Sequence, residues 1–111
     1  MWVVEVEDEV ELWLDSLGPK DFAVATAHIG RLGTQGNQLR PPATKSLGDG
    51  LFELRFDLQG VAWRVTFRFA PRSRIVLLTA FLKQRRREQP EIRRARGAMQ
   101  RSIASDEGEP T

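Results

Sequence analysis

Apolar and polar residues alternate with a period of two through two runs near the middle of the chain. The runs cover 52–58 and 61–69, and the dipeptide Gln59-Gly60 joins them. A period of two is typical of strands with one buried face, and a two-residue connection ending in glycine is typical of a tight hairpin. A third, almost wholly apolar run from Arg74 to Leu82 predicts an interior strand covered on both faces. The pattern therefore predicts a three-stranded antiparallel meander.

Apolar residues at helical spacing predict helices on both sides of this meander in the sequence. Two helices at 8–17 and 19–34 are separated only by the Gly18-Pro19 boundary, which predicts an antiparallel αα-hairpin. A last helix is predicted from Pro90 to about 101, and the β-branched start at 2–6 predicts a strand. The expected fold class is α+β, with the order strand, αα-hairpin, meander and C-terminal helix.

The remaining segments complete this expected organisation. In the second helix, Phe22, Ala25, Thr26, Ile29 and Leu32 form the predicted buried stripe, and His28 is predicted to lie off that stripe in solvent. Residues 33–50 are predicted to be a loop because Gly, Pro and Asn recur through them. The acidic tail at 102–111 is predicted to be disordered, so that 1–101 forms a single domain.

Composition excludes several classes of protein. The 111 residues contain no cysteine and one histidine, so neither a disulfide framework nor a zinc site is expected, and no metal or other cofactor is predicted. No apolar run approaches the roughly 20 residues that a membrane helix needs. The N-terminus has no basic segment of the kind that opens a signal peptide, so we expect a cytoplasmic protein without a membrane partner.

Charge is distributed unevenly along the chain. Residues 1–44 contain 3 basic and 7 acidic side chains, residues 45–101 contain 14 basic and 5 acidic, and the tail contains 3 acidic and no basic. The middle segment therefore has a net charge of +9 within a chain of net charge +2. A segment this basic attracts phosphate groups, and arginine, which outnumbers lysine 14 to 3, binds phosphate bidentately.

The register of the predicted hairpin gathers the basic side chains on one face. If Gln59-Gly60 is the turn, Arg55 lies directly opposite Arg64. Lys45, Arg68 and the basic run Arg85, Arg86 and Arg87 are expected at the margins of this arginine face. A face of this kind is suited to a polyanion, and we predict that the polyanion is RNA. The alternative is a solvated outer face whose arginines are neutralised by Glu53 and Asp57.

The order of elements and five segments together resemble the RelE/ParE toxin superfamily, and in particular its HigB-like branch with phage-derived relatives. The segments are W-L-D-S-L at 13–17, K-S-L-G-D-G-L-F-E-L-R at 45–55, W-R-V at 63–65, L-L-T-A-F-L-K at 77–83 and P-E-I-R-R-A at 90–95. The resemblance covers about 1–101. It implies a RelE-like fold and a toxin of a type II toxin–antitoxin system.

The resemblance also implies an activity and partners. Members of the superfamily typically cleave mRNA in the ribosomal A site, and a cognate antitoxin, usually a helix-turn-helix protein (HigA-like) in the HigB-like branch, silences them. A higher-order toxin–antitoxin complex is a further possibility. The basic strand positions of the family correspond to Arg55 and Arg64, its basic residue after the last strand to Lys83, and its loop-to-strand lysine to Lys45.

The catalytic assignment combines this resemblance with the residues themselves. We expect Arg55 and Arg64 to stabilise a pentacoordinate phosphate, and we suggest Glu53 as general base and Lys83 as general acid. Many RelE members carry a C-terminal tyrosine that stacks on a base, whereas this chain has no tyrosine. Two alternatives remain at this point: a ParE-like inhibitor of gyrase, and an inactive phage-derived binding module.

Overall fold

The computed structural model describes residues 1–83 and 88–108 of the chain. Its helices and strands are β1 (Val3–Val6), α1 (Asp8–Asp15), α2 (Pro19–Gln35), β2 (Thr44–Gly48), β3 (Leu51–Leu58), β4 (Val61–Ala70), β5 (Arg74–Leu82) and α3 (Gln89–Gly108). A short 3₁₀ turn, Gly36–Gln38, follows α2. The predicted α+β class is confirmed, and so is the predicted order of strand, αα-hairpin, antiparallel meander and C-terminal helix.

The five strands form one sheet in the order β1-β5-β4-β3-β2. Strand β1 pairs in parallel with β5, and the other pairs are antiparallel. The meander thus has four strands, and the prediction of a continuous loop over 33–50 was wrong for β2. The dipeptide Asp49-Gly50 explains the difference: both residues have positive φ angles, 55° and 85°, as a two-residue hairpin turn requires.

The predicted register of the β3–β4 hairpin is confirmed. Gln59 and Gly60 have φ angles of 49° and 80°, so these two residues form the tight turn. Arg55 therefore lies opposite Arg64, and Phe56 lies opposite Trp63. Because side chains alternate between the two sides of a strand, all arginines at odd positions of β3 and even positions of β4 lie on one face.

The opposite, apolar face of the sheet packs against the αα-hairpin. Leu54, Phe56 and Leu58 of β3 belong to the same buried cluster as Val10 of α1 and Leu32 of α2. Phe22, which the sequence placed in the buried stripe of α2, is instead 43% exposed. The hairpin thus leaves the arginine face of the sheet uncovered by α1 and α2.

Helix α3 crosses part of the arginine face. Ala95 and Met99 pack against Leu51, Val76 and Leu78 in a second buried cluster. The helix continues to Gly108, so the predictions that it ends near 101 and that the tail is disordered were wrong for 102–108, while 109–111 lie outside the described residues. In the part of the chain that the structure describes, no helix is both long and apolar enough to cross a membrane.

Candidate nucleic-acid interface

Two adjacent rows of side chains cross the arginine face of the sheet. The register aligns Lys45 of β2, Glu53 of β3, Thr66 of β4 and Thr79 of β5 in one row. The next row aligns Arg55, Arg64 and Phe81. The hydroxyls of Thr66 and Thr79 are 2.6 Å apart and share a hydrogen bond, which satisfies the buried middle of the first row. The charged members of both rows meet around Glu53.

The Glu53 carboxylate lies between the two arginines. Its Oε1 atom is 3.6 Å from Nε of Arg55 and 3.7 Å from Nε of Arg64, distances that are too long for hydrogen bonds. Among the described residues, both of these Nε atoms and Oε2 of Glu53 are buried without a hydrogen-bond partner. Buried polar groups are nearly always paired, so these unpaired atoms make the cluster around Glu53 a candidate functional site.

Burial raises the pKa of Glu53 above its ordinary value of 4.5. Loss of solvent around a side chain that is only 1% exposed is the largest cause, and the nearby Glu88 carboxylate adds to it. Arg64, Arg55 and Lys45 act in the opposite direction without cancelling the shift. Glu53 is therefore a stronger base than a solvated glutamate, held within reach of two cations.

The two arginines differ in their access to solvent. The Arg55 side chain is 32% exposed, whereas that of Arg64 is only 6% exposed. Nη1 of Arg64 donates a hydrogen bond of 3.0 Å to the backbone oxygen of Trp63, which fixes its guanidinium against the sheet. The prediction that both side chains are exposed on the arginine face was wrong for Arg64, which is buried, whereas Arg55 is partly exposed.

Arg68 departs furthest from its expected position. Its side chain is buried beneath α3, where Nε donates a hydrogen bond of 2.9 Å to the Ser102 hydroxyl and the guanidinium pairs with Asp106. Hydrogen bonds from Arg68 and Arg74 hold the pKa of Asp106 below its ordinary value. The prediction that Arg68 lies on an exposed face was wrong because α3 is longer than its thin apolar stripe suggested.

The two lysines of the predicted site lie in solvent at its margins. Lys45 is exposed and is paired in register with Glu53. The backbone amide of Lys83 donates a hydrogen bond of 3.0 Å to the Ala62 oxygen, so strand alternation places its exposed side chain on the arginine face. The predicted RNA-binding residues Arg85, Arg86 and Arg87 lie outside the described residues.

A cleft of about 700 Å³ lies beside the arginine pair at the edge of β3. Helix α2, the segment 38–43 and the strands β3 and β4 line it, and both Arg55 and Arg64 contribute to its wall. His28 also lines the cleft and is half-buried, with its ring stacked on Phe56 at a centroid distance of 4.8 Å. The prediction that His28 lies in solvent away from the buried stripe was wrong.

Helical spacing gave a signal for this position of His28. It follows the buried Ala25 by three residues and precedes the buried Leu32 by four, so it lies on the flank of their face. Across the described ranges, no group of three or more His, Asp or Glu side chains is placed to hold a metal ion. The site therefore offers two guanidiniums, one buried carboxylate, one imidazole and two marginal lysines as its chemical groups.

Comparisons with known proteins agree with this architecture. Residues 12–100 match a family described as "Phage derived protein Gp49-like (DUF891)". No curated protein sequence matches the chain. A chain of the toxin–antitoxin complex RelBE2 from Mycobacterium tuberculosis is similar in structure, with a TM-score of 0.57 and 18% identity over 74% of this chain and 98% of that one.

A chain of the intact RelBE toxin–antitoxin complex from E. coli is similar as well. Its TM-score is 0.59 and its identity 10%, over 77% of this chain and 100% of that one. At sequence identities this low, the structural similarity shows a shared fold. Together with the family match, it confirms the resemblance to the RelE/ParE superfamily and the RelE-like fold that were predicted from the sequence.

Proposed function

Because the chain belongs to the Gp49-like family of phage-derived proteins, we propose that it is the toxin of a toxin–antitoxin pair. We propose further that it is an endoribonuclease that cleaves mRNA, with the ribosome as its place of action, and thereby inhibits translation. The observation that carries this proposal is the buried Glu53 carboxylate between Arg55 and Arg64: its Oε1 atom faces both Nε atoms, and neither these Nε atoms nor Oε2 has a hydrogen-bond partner among the described residues.

The proposed reaction uses the nucleophile that RNA itself provides. The 2′-oxygen attacks the adjacent phosphorus while the bond from phosphorus to the 5′-oxygen of the next nucleotide breaks. The products are a 2′,3′-cyclic phosphate and a 5′-hydroxyl. Arg55 and Arg64 stabilise the negative charge that develops on the equatorial phosphate oxygens, because charge-assisted hydrogen bonds act strongly in a site of low dielectric constant.

Two protons move in this reaction, and the site has a candidate group for each. Glu53 accepts the proton of the 2′-hydroxyl, a role that its raised pKa favours because a stronger base removes a proton more readily. Lys83, exposed on the same face, donates a proton to the departing 5′-oxygen. Lys45 and the basic run at 85–87 hold the flanking phosphates electrostatically.

Substrate binding itself exposes the buried carboxylate in this scheme. Arg55 is the partly exposed member of the pair, and its contact with Glu53 is longer than a hydrogen bond. An incoming phosphate offers Arg55 a bidentate partner, so the guanidinium moves from Glu53 to the phosphate. The carboxylate then faces the 2′-hydroxyl, whereas Arg64 stays fixed by Trp63. Glu53 thus becomes accessible only when RNA is present.

The second partner in this proposal is a cognate antitoxin. The two similar solved chains come from toxin–antitoxin complexes, and the αα-hairpin here exposes Leu12, Phe22 and Val24. Large apolar side chains that are exposed on two packed helices are available to the apolar face of a partner. We therefore propose that an amphipathic segment of a helix-turn-helix antitoxin covers the hairpin.

Expression of the chain without its neighbouring gene tests the enzymatic proposal. We expect growth arrest and shortened mRNAs from the wild-type protein. Arg55→Ala is expected to lower the cleavage rate about 10²–10³-fold, the usual loss on removing one preorganised donor. Arg93→Ala is the matched control, because Arg93 is an exposed arginine on α3 outside the site, and it is expected to cleave as the wild type does.

The same experiment separates the alternatives. Intact mRNA together with a DNA-damage response contradicts the nuclease proposal and favours a ParE-like inhibitor of gyrase. Continued growth with soluble wild-type protein present contradicts both and favours an inactive binding module. Equal toxicity of Arg55→Ala and wild type contradicts the assignment of this side chain to the reaction.

A further inference from the structure

The cleft at the edge of β3 results from the position at which β2 begins. Strand β2 starts at Thr44, opposite Leu54, and the Arg55 amide donates a hydrogen bond of 2.8 Å to the Ala43 oxygen. Past Arg55, β3 pairs with β4 alone among the described strands. The cleft of about 700 Å³ occupies the space between this part of β3 and helix α2. The cleft therefore exists because β2 pairs with only the first half of β3.

Positive charge dominates the wall of the cleft. Arg31, Arg40, Arg55 and Arg64 line it, and the only carboxylate in its described lining is Asp57. The side chains of Arg31 and Arg40 are exposed, whereas that of Arg64 is buried. A concave surface with several guanidiniums concentrates anions, and arginine forks match the geometry of phosphate. The cleft is therefore suited to a phosphorylated ligand.

The cleft also contains an aromatic platform. The ring planes of His28 and Phe56 are inclined by only 10°, with centroids 4.8 Å apart, so Phe56 supports one face of the imidazole. His28 is half-buried and lines the cleft, so its position is fixed by packing while it remains accessible. Nucleobases stack on such supported rings with little regard to sequence. Of the two aromatic rings in the described lining, Phe56 is buried, so His28 is the ring that the cleft offers to a base.

We propose that this cleft binds a nucleotide of single-stranded RNA that flanks the phosphate held by Arg55 and Arg64. The base stacks on His28, and the phosphate of the nucleotide pairs with Arg31 and Arg40. The inference rests on the proposed function, because it takes RNA as the substrate. It extends that function by adding a specificity-determining subsite on α2 to the residues on the strands.

RNA fits these observations better than an acidic protein segment does. An acidic segment would use the arginines but would have no need of a supported aromatic ring beside them. The cleft shares Arg55 and Arg64 with the Glu53 site, so one RNA strand can contact both. The positive charge of the cleft, the supported ring of His28 and the arginines shared with the Glu53 site together indicate a nucleotide rather than an acidic protein segment.

Binding of a short, fluorescein-labelled, single-stranded RNA carrying 2′-O-methyl groups tests the subsite, because the methyl groups block attack by the 2′-oxygen. The double variant Arg31→Ala/Arg40→Ala is expected to weaken binding about tenfold or more and to reduce the slope of log K against log salt by about 0.7, the value for one phosphate contact on a single strand. The control Arg93→Ala/Arg101→Ala removes the same charge from exposed positions on α3 and is expected to stay within about twofold of wild type.

The aromatic platform has its own pair of variants. His28→Ala is expected to weaken binding between about fivefold and a hundredfold, the usual range for loss of one stacked base. His28→Phe keeps the ring and is expected to restore binding to near the wild-type level. Equal thermal stability of the four variants and the wild type shows that the fold is intact.

The outcomes distinguish this inference from the proposed function. If Arg55→Ala weakens binding while the Arg31/Arg40 variant behaves like its control, or if His28→Phe binds as poorly as His28→Ala, the subsite is overturned and the nuclease stands. If the wild-type protein neither binds this RNA nor cleaves mRNA, the proposed function itself fails. If the cleft variants lose the antitoxin but keep RNA binding, the cleft belongs to an acidic protein partner.

Discussion

At the scale of single residues, Glu53 experiences two opposing effects. Removal from water disfavours its charged form, whereas two guanidiniums at 3.6 and 3.7 Å favour it, and the net result is a raised pKa. Replacing the carboxylate by an apolar side chain would avoid the cost of burying an unpaired oxygen. A chain that retains such a group at the centre of its sheet gives up stability, which is typical of functional sites.

The pH dependence of folding follows from this raised pKa. A group that binds its proton more tightly in the folded state stabilises the fold below its unfolded pKa, and this contribution is lost as the pH rises through the folded pKa. The free energy of unfolding of wild type, relative to Glu53→Gln, is therefore expected to fall as the pH rises above about 4.5. Urea denaturation of both proteins across this range measures the difference. A difference that grows with pH would instead show that the ionised carboxylate stabilises the fold through its arginines.

At the scale of helices and strands, local sequence determines some features and long-range contacts determine others. The β3–β4 register was predictable because Gln59-Gly60 fixes every pair in the hairpin. Strand β2 carried an equivalent signal in Asp49-Gly50, which the many loop-forming residues around it concealed. The length of α3 was not predictable, because Ser102 and Asp106 are stabilised by Arg68, more than thirty residues earlier. The cleft was equally hidden, since it combines α2 with an unpaired strand edge.

Two glycines, one inside α2 and one directly after it, provide a test of the packing at the C-terminal end of this helix. A Cβ atom at Gly36 would lie 1.9 Å from Nε1 of Trp2, at a positive φ of 52°. Gly36→Ala is therefore expected to displace the indole and to cost roughly 1–3 kcal/mol of stability. Gly30, inside α2, has no atom within 4 Å of such a Cβ, so Gly30→Ala is expected to stabilise the protein by up to about 1 kcal/mol. Thermal unfolding of both variants measures this contrast, and equal effects would contradict the packing described here.

At the scale of the whole molecule, we propose that different partners bind the arginine face of the sheet and the αα-hairpin. The arginine face and its cleft are suited to RNA, whereas the apolar residues exposed on the αα-hairpin are suited to the antitoxin. This separation allows the hairpin to be altered without direct change to the reacting groups. It also implies that an antitoxin bound to the hairpin inhibits either by extending over the sheet or by keeping the protein from the ribosome.

The double variant Leu12→Glu/Phe22→Glu tests the assignment of the antitoxin to the hairpin. Both side chains are exposed, 69% and 43%, so the substitutions are expected to leave the fold intact and to abolish co-purification with the product of the neighbouring gene. Lys20→Glu changes the charge at another exposed position of the hairpin and serves as the control. If the double variant still binds the antitoxin and Arg55→Glu does not, the antitoxin covers the arginine face instead.

The chemistry of the RNA ends produced by the purified protein in a cell-free translation reaction tests the central claim most directly. Attack by the 2′-oxygen, promoted by Glu53 between Arg55 and Arg64, predicts fragments that end in a 2′,3′-cyclic phosphate or its 3′-phosphate hydrolysis product, and downstream fragments that begin with a 5′-hydroxyl. We expect these ends from wild type and Arg93→Ala, and about 10²–10³-fold fewer from Arg55→Ala. Fragments that end in a 3′-hydroxyl, or mRNA that remains intact while soluble protein is present, would contradict the account.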